Sequence, residues 1–72
     1  MLQSSENYIV CKDGEYLVGI PYRDTGFARM GNSAYDAYPF WDFIIAQRIA
    51  KLIGGSVMKF NRLNGKVEGG WQ

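Results

Sequence analysis

The sequence predicts an α+β fold in which one α-helix packs on a small, mainly antiparallel sheet, with the elements in the order ββ(β)αββ. Two turn signals and one helical segment carry this prediction. Asp13-Gly14 and Asn64-Gly65 are dipeptides that two-residue type I′ turns favour. FWDFIIAQRIAKLIGG, residues 40–55, has helical periodicity. No repeat or linker divides the chain, so we expect residues 1–72 to form a single domain.

The first hairpin is predicted from YIVCK (8–12) and EYLVGI (15–20), which flank Asp13-Gly14. Both turn positions accept the positive φ that a type I′ turn requires. The flanking residues are rich in Tyr, Ile, Val and Leu, which favour a half-buried sheet. Cys11 lies inside the first predicted strand, where a structural thiol is the common case.

The stretch from 21 to 39 has no sustained period. GFARM (26–30) predicts a short third strand, and we expect the remainder to be loop. Aromatic residues are dense from here into the helix: Tyr22, Phe27, Tyr35, Tyr38, Phe40, Trp41 and Phe43. Phe40 and Phe43 are expected in the core. Tyr35, Tyr38 and Trp41 are expected at an interface, since Tyr and Trp are favoured there.

The helix is predicted from Phe43 to Ile53. Asp42 is the expected N-cap, since its carboxylate accepts free amide hydrogens of the first turn. Gly54 is the expected C′ residue, because glycine takes the left-handed conformation without a steric penalty. A membrane span needs about 20 apolar residues. The segment is shorter and carries Arg48 and Lys51, so we expect no membrane association.

Steps of 100° per residue divide this helix into two sides. The side expected to pack on the sheet contains Ile45, Ala46, Ile49, Ala50, Leu52 and Ile53. Gln47, Arg48 and Lys51 form a polar stripe opposite, and Ile44 lies in its middle. Two interpretations of Ile44 stay open. It packs under the long loop or the C-terminal tail, or it forms an apolar contact patch with Trp41, rimmed by the two basic residues.

The last hairpin is predicted from SVMKFNRL (56–63), a type I′ turn at Asn64-Gly65, and KVE (66–68). Strand alternation places Met58 and Phe60 on one face of the sheet. Lys59 and Asn61 are expected on the other face.

Composition argues against several chemistries. The chain has one cysteine and no histidine, so we expect no intramolecular disulfide, no metal site and no activated nucleophile. Gly54-Gly55 follows a helix rather than preceding one, which is the wrong polarity for a phosphate loop. The acidic residues have no spacing that suggests a shared catalytic site. We therefore expect a protein that is not an enzyme and that uses no cofactor.

Charge is unevenly distributed although the net charge is only +1. Residues 43–67 contain five basic residues and no acidic one. An alternative function is therefore nucleic-acid binding, through Arg48, Lys51, Lys59, Arg62 and Lys66. A nearly neutral chain instead favours an ordinary solvated face for these residues.

Small size favours a partner. A domain this short buries only about 60% of the surface that its unfolded chain exposes, so oligomerisation or docking compensates. The leading prediction is a non-enzymatic protein that binds a larger protein, with a homodimer through the same surface or a sheet edge also open. The expected surface comprises Tyr35, Tyr38, Trp41, Ile44, Arg48 and Lys51. A single cysteine and an N-terminus without a signal-peptide pattern predict a cytoplasmic location.

Two motifs carry a family resemblance. The first motif, in the hairpin, consists of Tyr8, Ile9, Lys12, Gly14, Tyr16 and Leu17. The second motif covers the helix and its flanking residues: Phe40, Phe43, Ala46, Ile49, Ala50, Gly54 and Gly55. Over about two thirds of its length the chain resembles small accessory proteins encoded by phages and prophages of Gram-positive bacteria. The resemblance implies a hairpin followed by a helix and a strand. It also implies a role in binding a host macromolecule, such as a bacterial defence component, to inhibit or redirect it.

Overall fold

The computed structural model describes residues 4–19 and 29–71, the last of these by its backbone alone. Its elements, in chain order, are β1 (Glu6–Lys12), β2 (Glu15–Gly19), β3 (Arg29–Gly31), a 3-10 turn (Ala34–Asp36), α1 (Phe43–Ile53), β4 (Ser56–Asn61) and β5 (Lys66–Trp71). The strands form one antiparallel sheet in the order β3-β2-β1-β4-β5. The predicted fold class and element order are confirmed. The rest of the predicted third strand and the end of the second lie outside the described residues.

The β1–β2 hairpin has the predicted turn. Asp13 has φ 52° and Gly14 has φ 81°, as a type I′ turn requires. Lys12 pairs with Glu15, and Cys11 pairs with Tyr16. The Asp13-Gly14 dipeptide therefore specifies the turn of this hairpin as predicted.

Residues 38–40 enter the sheet between β1 and β2. Tyr8 and Phe40 exchange two backbone hydrogen bonds of 2.8 Å, and the Tyr38 N–H donates to the Leu17 carbonyl at 2.8 Å. Buried backbone groups need such partners. These bonds fix the chain just before α1 and so determine where the helix begins relative to the sheet.

The β4–β5 connection differs from the prediction. β4 ends at Asn61, which pairs with Lys66, so residues 62–65 form a four-residue loop rather than a two-residue type I′ turn. Gly65 has φ 72°, whereas Asn64 lacks the positive φ that type I′ needs. The Asn61 carbonyl accepts from the Gly65 N–H at 2.8 Å, and the Asn61 side chain accepts from Leu63 N–H at 2.9 Å. Asn61 therefore starts the turn earlier, because asparagine side chains compete for nearby backbone groups.

Both faces of the sheet contribute to the core. On the helix side, Val10, Leu17 and Val57 are fully buried, and on the far face Ile9 and Phe60 are fully buried. Burying one such side chain contributes roughly 1.5–3 kcal/mol. Met58 shares the far-face cluster with Phe60, as strand alternation predicted. Lys59 lies on the opposite side, within 3.5 Å of the Glu6 carboxylate.

Helix α1 has the predicted caps. The Asp42 carboxylate accepts from the Ile44 N–H at 2.8 Å. Gly54 has φ 76°, and the Gly55 N–H donates to the Ala50 carbonyl at 2.8 Å, which satisfies the end of the helix. Among the described residues, none of the helices is long and apolar enough to cross a membrane.

Candidate protein-binding surface on the helix

The completely buried residues of α1 are small and form a narrow line on its inner face. Ala46 and Ala50 are fully buried against the cluster that contains Val10 and Val57. Phe43, Ile49 and Ile53 are partly buried at its margins, and the Phe43 ring meets the Tyr8 ring edge-on at 5.3 Å. Two alanines one turn apart let the helix approach β1 and β4 closely. The predicted core position of Phe40 is confirmed, since it is buried with this cluster.

Two residues predicted to pack on the sheet do not do so. Ile45 is 50% exposed and Leu52 is 77% exposed. They lie roughly 120–140° around the helix from the line that joins Ala46 and Ala50. A two-strand contact covers a narrower stripe than that, so both side chains point away from the sheet. The prediction was wrong for these two residues.

Ile44 is also uncovered. It is 55% exposed, and Trp41 just before the cap is 65% exposed. This exposure favours the interpretation in which Ile44 and Trp41 form an apolar contact patch. The other interpretation, packing under the long loop or the tail, falls partly on segments outside the described residues. Five residues at helical spacings of three and four positions share this side of the helix, and we call them the outer stripe: Trp41, Ile44, Ile45, Arg48 and Leu52. The helical part of the stripe, from Ile44 to Leu52, spans eight residue steps and is about 12 Å long.

A shallow apolar pocket lies at the start of the outer stripe. It has a volume of about 340 Å³ and is lined by Tyr38, Pro39, Phe40, Trp41, Asp42 and Ile45. The Tyr38 and Phe40 rings are 4.9 Å apart and tilted against each other. Two of its lining residues are held by hydrogen bonds to backbone groups: Phe40 pairs with Tyr8 of β1, and Asp42 caps α1. It is large enough for one apolar side chain of a partner.

A second shallow pocket lies near the other end of the stripe. It has a volume of about 390 Å³ and is lined by Arg48, Lys51 and Leu52. Its lining is mainly apolar, as the aliphatic stems of basic side chains beside a leucine provide. Within residues 4–19 and 29–71, neither Arg48 nor Lys51 belongs to an ion pair. This end of the stripe therefore combines apolar surface with two cations that have no acidic neighbour there.

Tyr35 lies apart from the outer stripe. Its ring meets the Phe60 ring edge-on at 5.0 Å, on the face of the sheet opposite the helix. Its carbonyl accepts from the Arg62 guanidinium at 3.2 Å. A side chain at Gly65 would meet its hydroxyl at 2.8 Å. The structure brings together five of the six residues expected at the partner surface, with Tyr38 at the edge, and leaves Tyr35 at the β4–β5 loop.

The residues of the alternative nucleic-acid set are dispersed and partly engaged. Lys59 lies 3.5 Å from the Glu6 carboxylate, and Lys66 lies 3.8 Å from that of Glu68. The Arg62 guanidinium donates to the Tyr35 carbonyl and lies over the Phe60 ring, 5.7 Å from its centre. Only the two helix residues of the set are free of such contacts in the described part of the chain. The set does not form a continuous face of unpaired cations.

The described residues contain no group of three or more metal-ligating side chains. Cys11 is half-buried, with its Sγ 3.6 Å from the Ser56 Oγ. That neighbour is a hydroxyl and supplies no base to activate the thiol. The geometry at Cys11 therefore suits packing at the β1–β4 pair.

Sequence reasoning missed Pro39, Ile45 and Leu52 as members of the exposed surface. A signal for the latter two was present. Alanines at i and i+4 mark the closest approach of a helix to its sheet, since larger side chains would hold the two apart. The apolar residues a third of a turn away from those alanines are then candidates for the outside.

The chain matches no protein-family model, and comparisons with curated proteins and with solved structures found no similar protein.

Proposed function

We propose that the protein is a non-enzymatic binding protein that docks on a larger protein through the outer stripe of α1. One observation carries the proposal. The four apolar residues of the stripe are at least half exposed, while the inner face of the same helix buries only two alanines completely. Contiguous exposed apolar surface of this kind is typical of interaction sites.

The energetics favour a protein interface. Complete burial of one large apolar side chain contributes roughly 1.5–3 kcal/mol. Association costs offset much of the total, so affinity depends on a few well-placed anchors. Trp41 and Arg48 belong to the residue types that dominate interface hot spots. A stripe that combines them suits a compact, specific contact.

The resemblance to phage-encoded accessory proteins supports a choice of partner class. In this proposal the protein acts in the bacterial cytoplasm, and its partner is a host protein, such as a defence component, that it inhibits or redirects. No cofactor takes part. The resemblance rests on hairpin, core and cap residues, so the outer stripe carries the functional argument.

Capture from a bacterial lysate, identified by mass spectrometry, tests the proposal. We expect a host protein to be captured by the wild type and about tenfold less by Ile44→Asp or Trp41→Ala, since each removes an anchor. Leu63→Asp is the matched control, because Leu63 is 85% exposed on the β4–β5 loop. The captured protein is then purified and its affinity measured with the same variants. If the wild type and the three variants bound the partner equally well, the outer stripe would not be the binding surface.

Nucleic-acid binding is the second candidate, favoured by Arg48 and Lys51, which form no ion pair with any residue that the structure describes. It predicts binding that weakens steeply as salt increases. A mobility-shift titration with duplex and single-stranded probes at low salt is the test. Retardation that Arg48→Glu abolishes would favour this candidate. No retardation at low salt would remove it.

A further inference from the structure

Arg48 lies near the middle of the outer stripe, with apolar residues before and after it along the stripe. On the helical projection it lies between Ile44 and Leu52, and Lys51 is beside it. α1 itself contains no acidic residue. Asp42, just before the helix, already accepts the Ile44 N–H as the N-cap. The positive charge within the stripe is therefore unopposed by the helix that carries it.

We infer that the partner segment is amphipathic and acidic, with a carboxylate that pairs with Arg48 and Lys51 between two apolar anchors. This inference rests on the proposed function, since it specifies what the outer stripe binds. One anchor fills the pocket between Tyr38 and Ile45. The second covers Leu52 beside the stems of the basic residues. An unpaired guanidinium buried in an apolar contact costs several kcal/mol, so an interface that covers Arg48 must supply an acid.

The spacing defines the partner segment further. Ile45 and Leu52 are seven residues apart, which is about 10.5 Å along the helix. Two apolar residues at i and i+7 of a partner helix have the same separation. A Glu or Asp at i+3 or i+4 then lies opposite Arg48. The recognition element is thus an acidic helical segment of about three turns.

A second copy of this chain fits the stripe less well. A two-fold axis through the middle of the stripe brings Arg48 close to its own copy and adds both Lys51 residues. Like charges at such short range repel, and more strongly near a protein surface than in bulk water. An anionic membrane would satisfy the cations, but recognition of anionic lipids typically uses clusters of about four to eight basic residues, and the stripe region has two. Charge complementarity favours the acidic protein segment.

A synthetic peptide pair tests the inference. The first peptide is a helical, Ala-rich 15-mer with Leu at i and i+7 and Glu at i+3 and i+4, and the second has Lys in place of both Glu residues. Binding is followed by fluorescence anisotropy of the labelled peptides. We expect the Glu peptide to bind wild-type protein at least about tenfold more tightly than the Lys peptide, with the difference reduced at about 0.5 M salt.

Charge reversal supplies the matched variants. Arg48→Glu is expected to abolish or invert the preference between the two peptides. Arg29→Glu makes the same charge change on β3, at the far edge of the sheet, and is expected to preserve it. Equal affinity for both peptides, or no saturable binding of either up to about 1 mM, overturns the inference. The inference is also overturned if Arg48→Glu and Arg29→Glu reduce the preference for the Glu peptide equally.

Two further measurements decide between occupants. Sedimentation that shows a dimer, strengthened by Arg48→Glu, would assign the stripe to a second copy and overturn the inference. Tighter binding to phosphatidylcholine vesicles with about 30% phosphatidylserine than to the Glu peptide would assign it to a membrane and also overturn it. Failure of the peptide test while Ile44→Asp still prevents partner capture removes only the acidic partner. Unchanged capture by Ile44→Asp removes the proposed function itself.

Discussion

The inner and outer faces of α1 contrast in the size of their side chains. The inner face buries Ala46 and Ala50 completely, whereas the outer face leaves Trp41 and Leu52 more than half exposed. A domain of this size gains stability from burying large apolar residues. Here four large apolar residues lie on the outside, and those on the inner side are only partly buried. The contrast indicates that the outer face is suited to an external contact rather than to the stability of the isolated domain.

The inner face is small because the helix lies close to the sheet. A Cβ placed at Gly55, immediately after the helix, would be 2.5 Å from the Cys11 carbonyl oxygen of β1. Gly54 and Gly55 thus let the chain turn directly from α1 into β4. Close approach and the two alanines are consistent with each other, and the bulkier Phe43, Ile49 and Ile53 pack only at the margins of this contact.

The largest expected change in stability comes from placing a carboxylate on the inner face of α1, compared with the same change on the outer face. Ala50→Asp buries a carboxylate that has no cation beside it, which costs about 3–5 kcal/mol. That is comparable to the whole stability of a small domain, so we expect loss of the folded state. Leu52→Asp, two residues along on the outer face, is expected to change stability by less than about 0.5 kcal/mol. Urea unfolding followed by circular dichroism measures both. Similar losses from both substitutions would contradict the difference between the faces.

A smaller effect tests the close approach of the helix end. Gly55→Ala is expected to cost about 1–3 kcal/mol, since the new Cβ meets backbone of β1 rather than a side chain that can move. Gly19→Ala is the control, because among the described residues the nearest atom to its Cβ is 3.7 Å away on the Arg29 side chain. The thermal midpoint of unfolding compares the two variants. If Gly55→Ala were as stable as Gly19→Ala, the helix would not be held against β1 as described.

Local chemistry accounts for what the sequence predicts well. Asp13-Gly14 specifies its turn by positive φ alone, and Asp42 and Gly54 bound the helix through bonds within a few residues. The β4–β5 turn was mispredicted because Asn61 offers a competing side-chain bond to Leu63. The dipeptide Asn64-Gly65 carries no sign of that competition. Turn prediction from two residues therefore fails where a neighbouring asparagine supplies an alternative.

The membership of the outer stripe was harder to predict, because it depends on tertiary packing. Ile44 was identifiable from the sequence because it interrupts a polar stripe. The apolar pattern of the helix predicts Ile45 and Leu52 in the core. Their exposure depends on how much of the helix β1 and β4 cover, and the helix sequence does not specify that. Tyr35 was grouped with the helix by its nearness in sequence, but the 3-10 turn carries its ring to Phe60 on the other face. Proximity along the chain did not report proximity in space.

The claim that the outer stripe of α1 is the binding surface is tested most directly by mapping a bound partner. Amide spectra of the isotopically labelled protein are recorded with and without the captured host protein. We predict that the amide signals of residues 41–52 shift or broaden, while those of β3 and β5, the two edges of the sheet, stay in place. Perturbation of either edge strand with the signals of α1 unchanged would contradict the account.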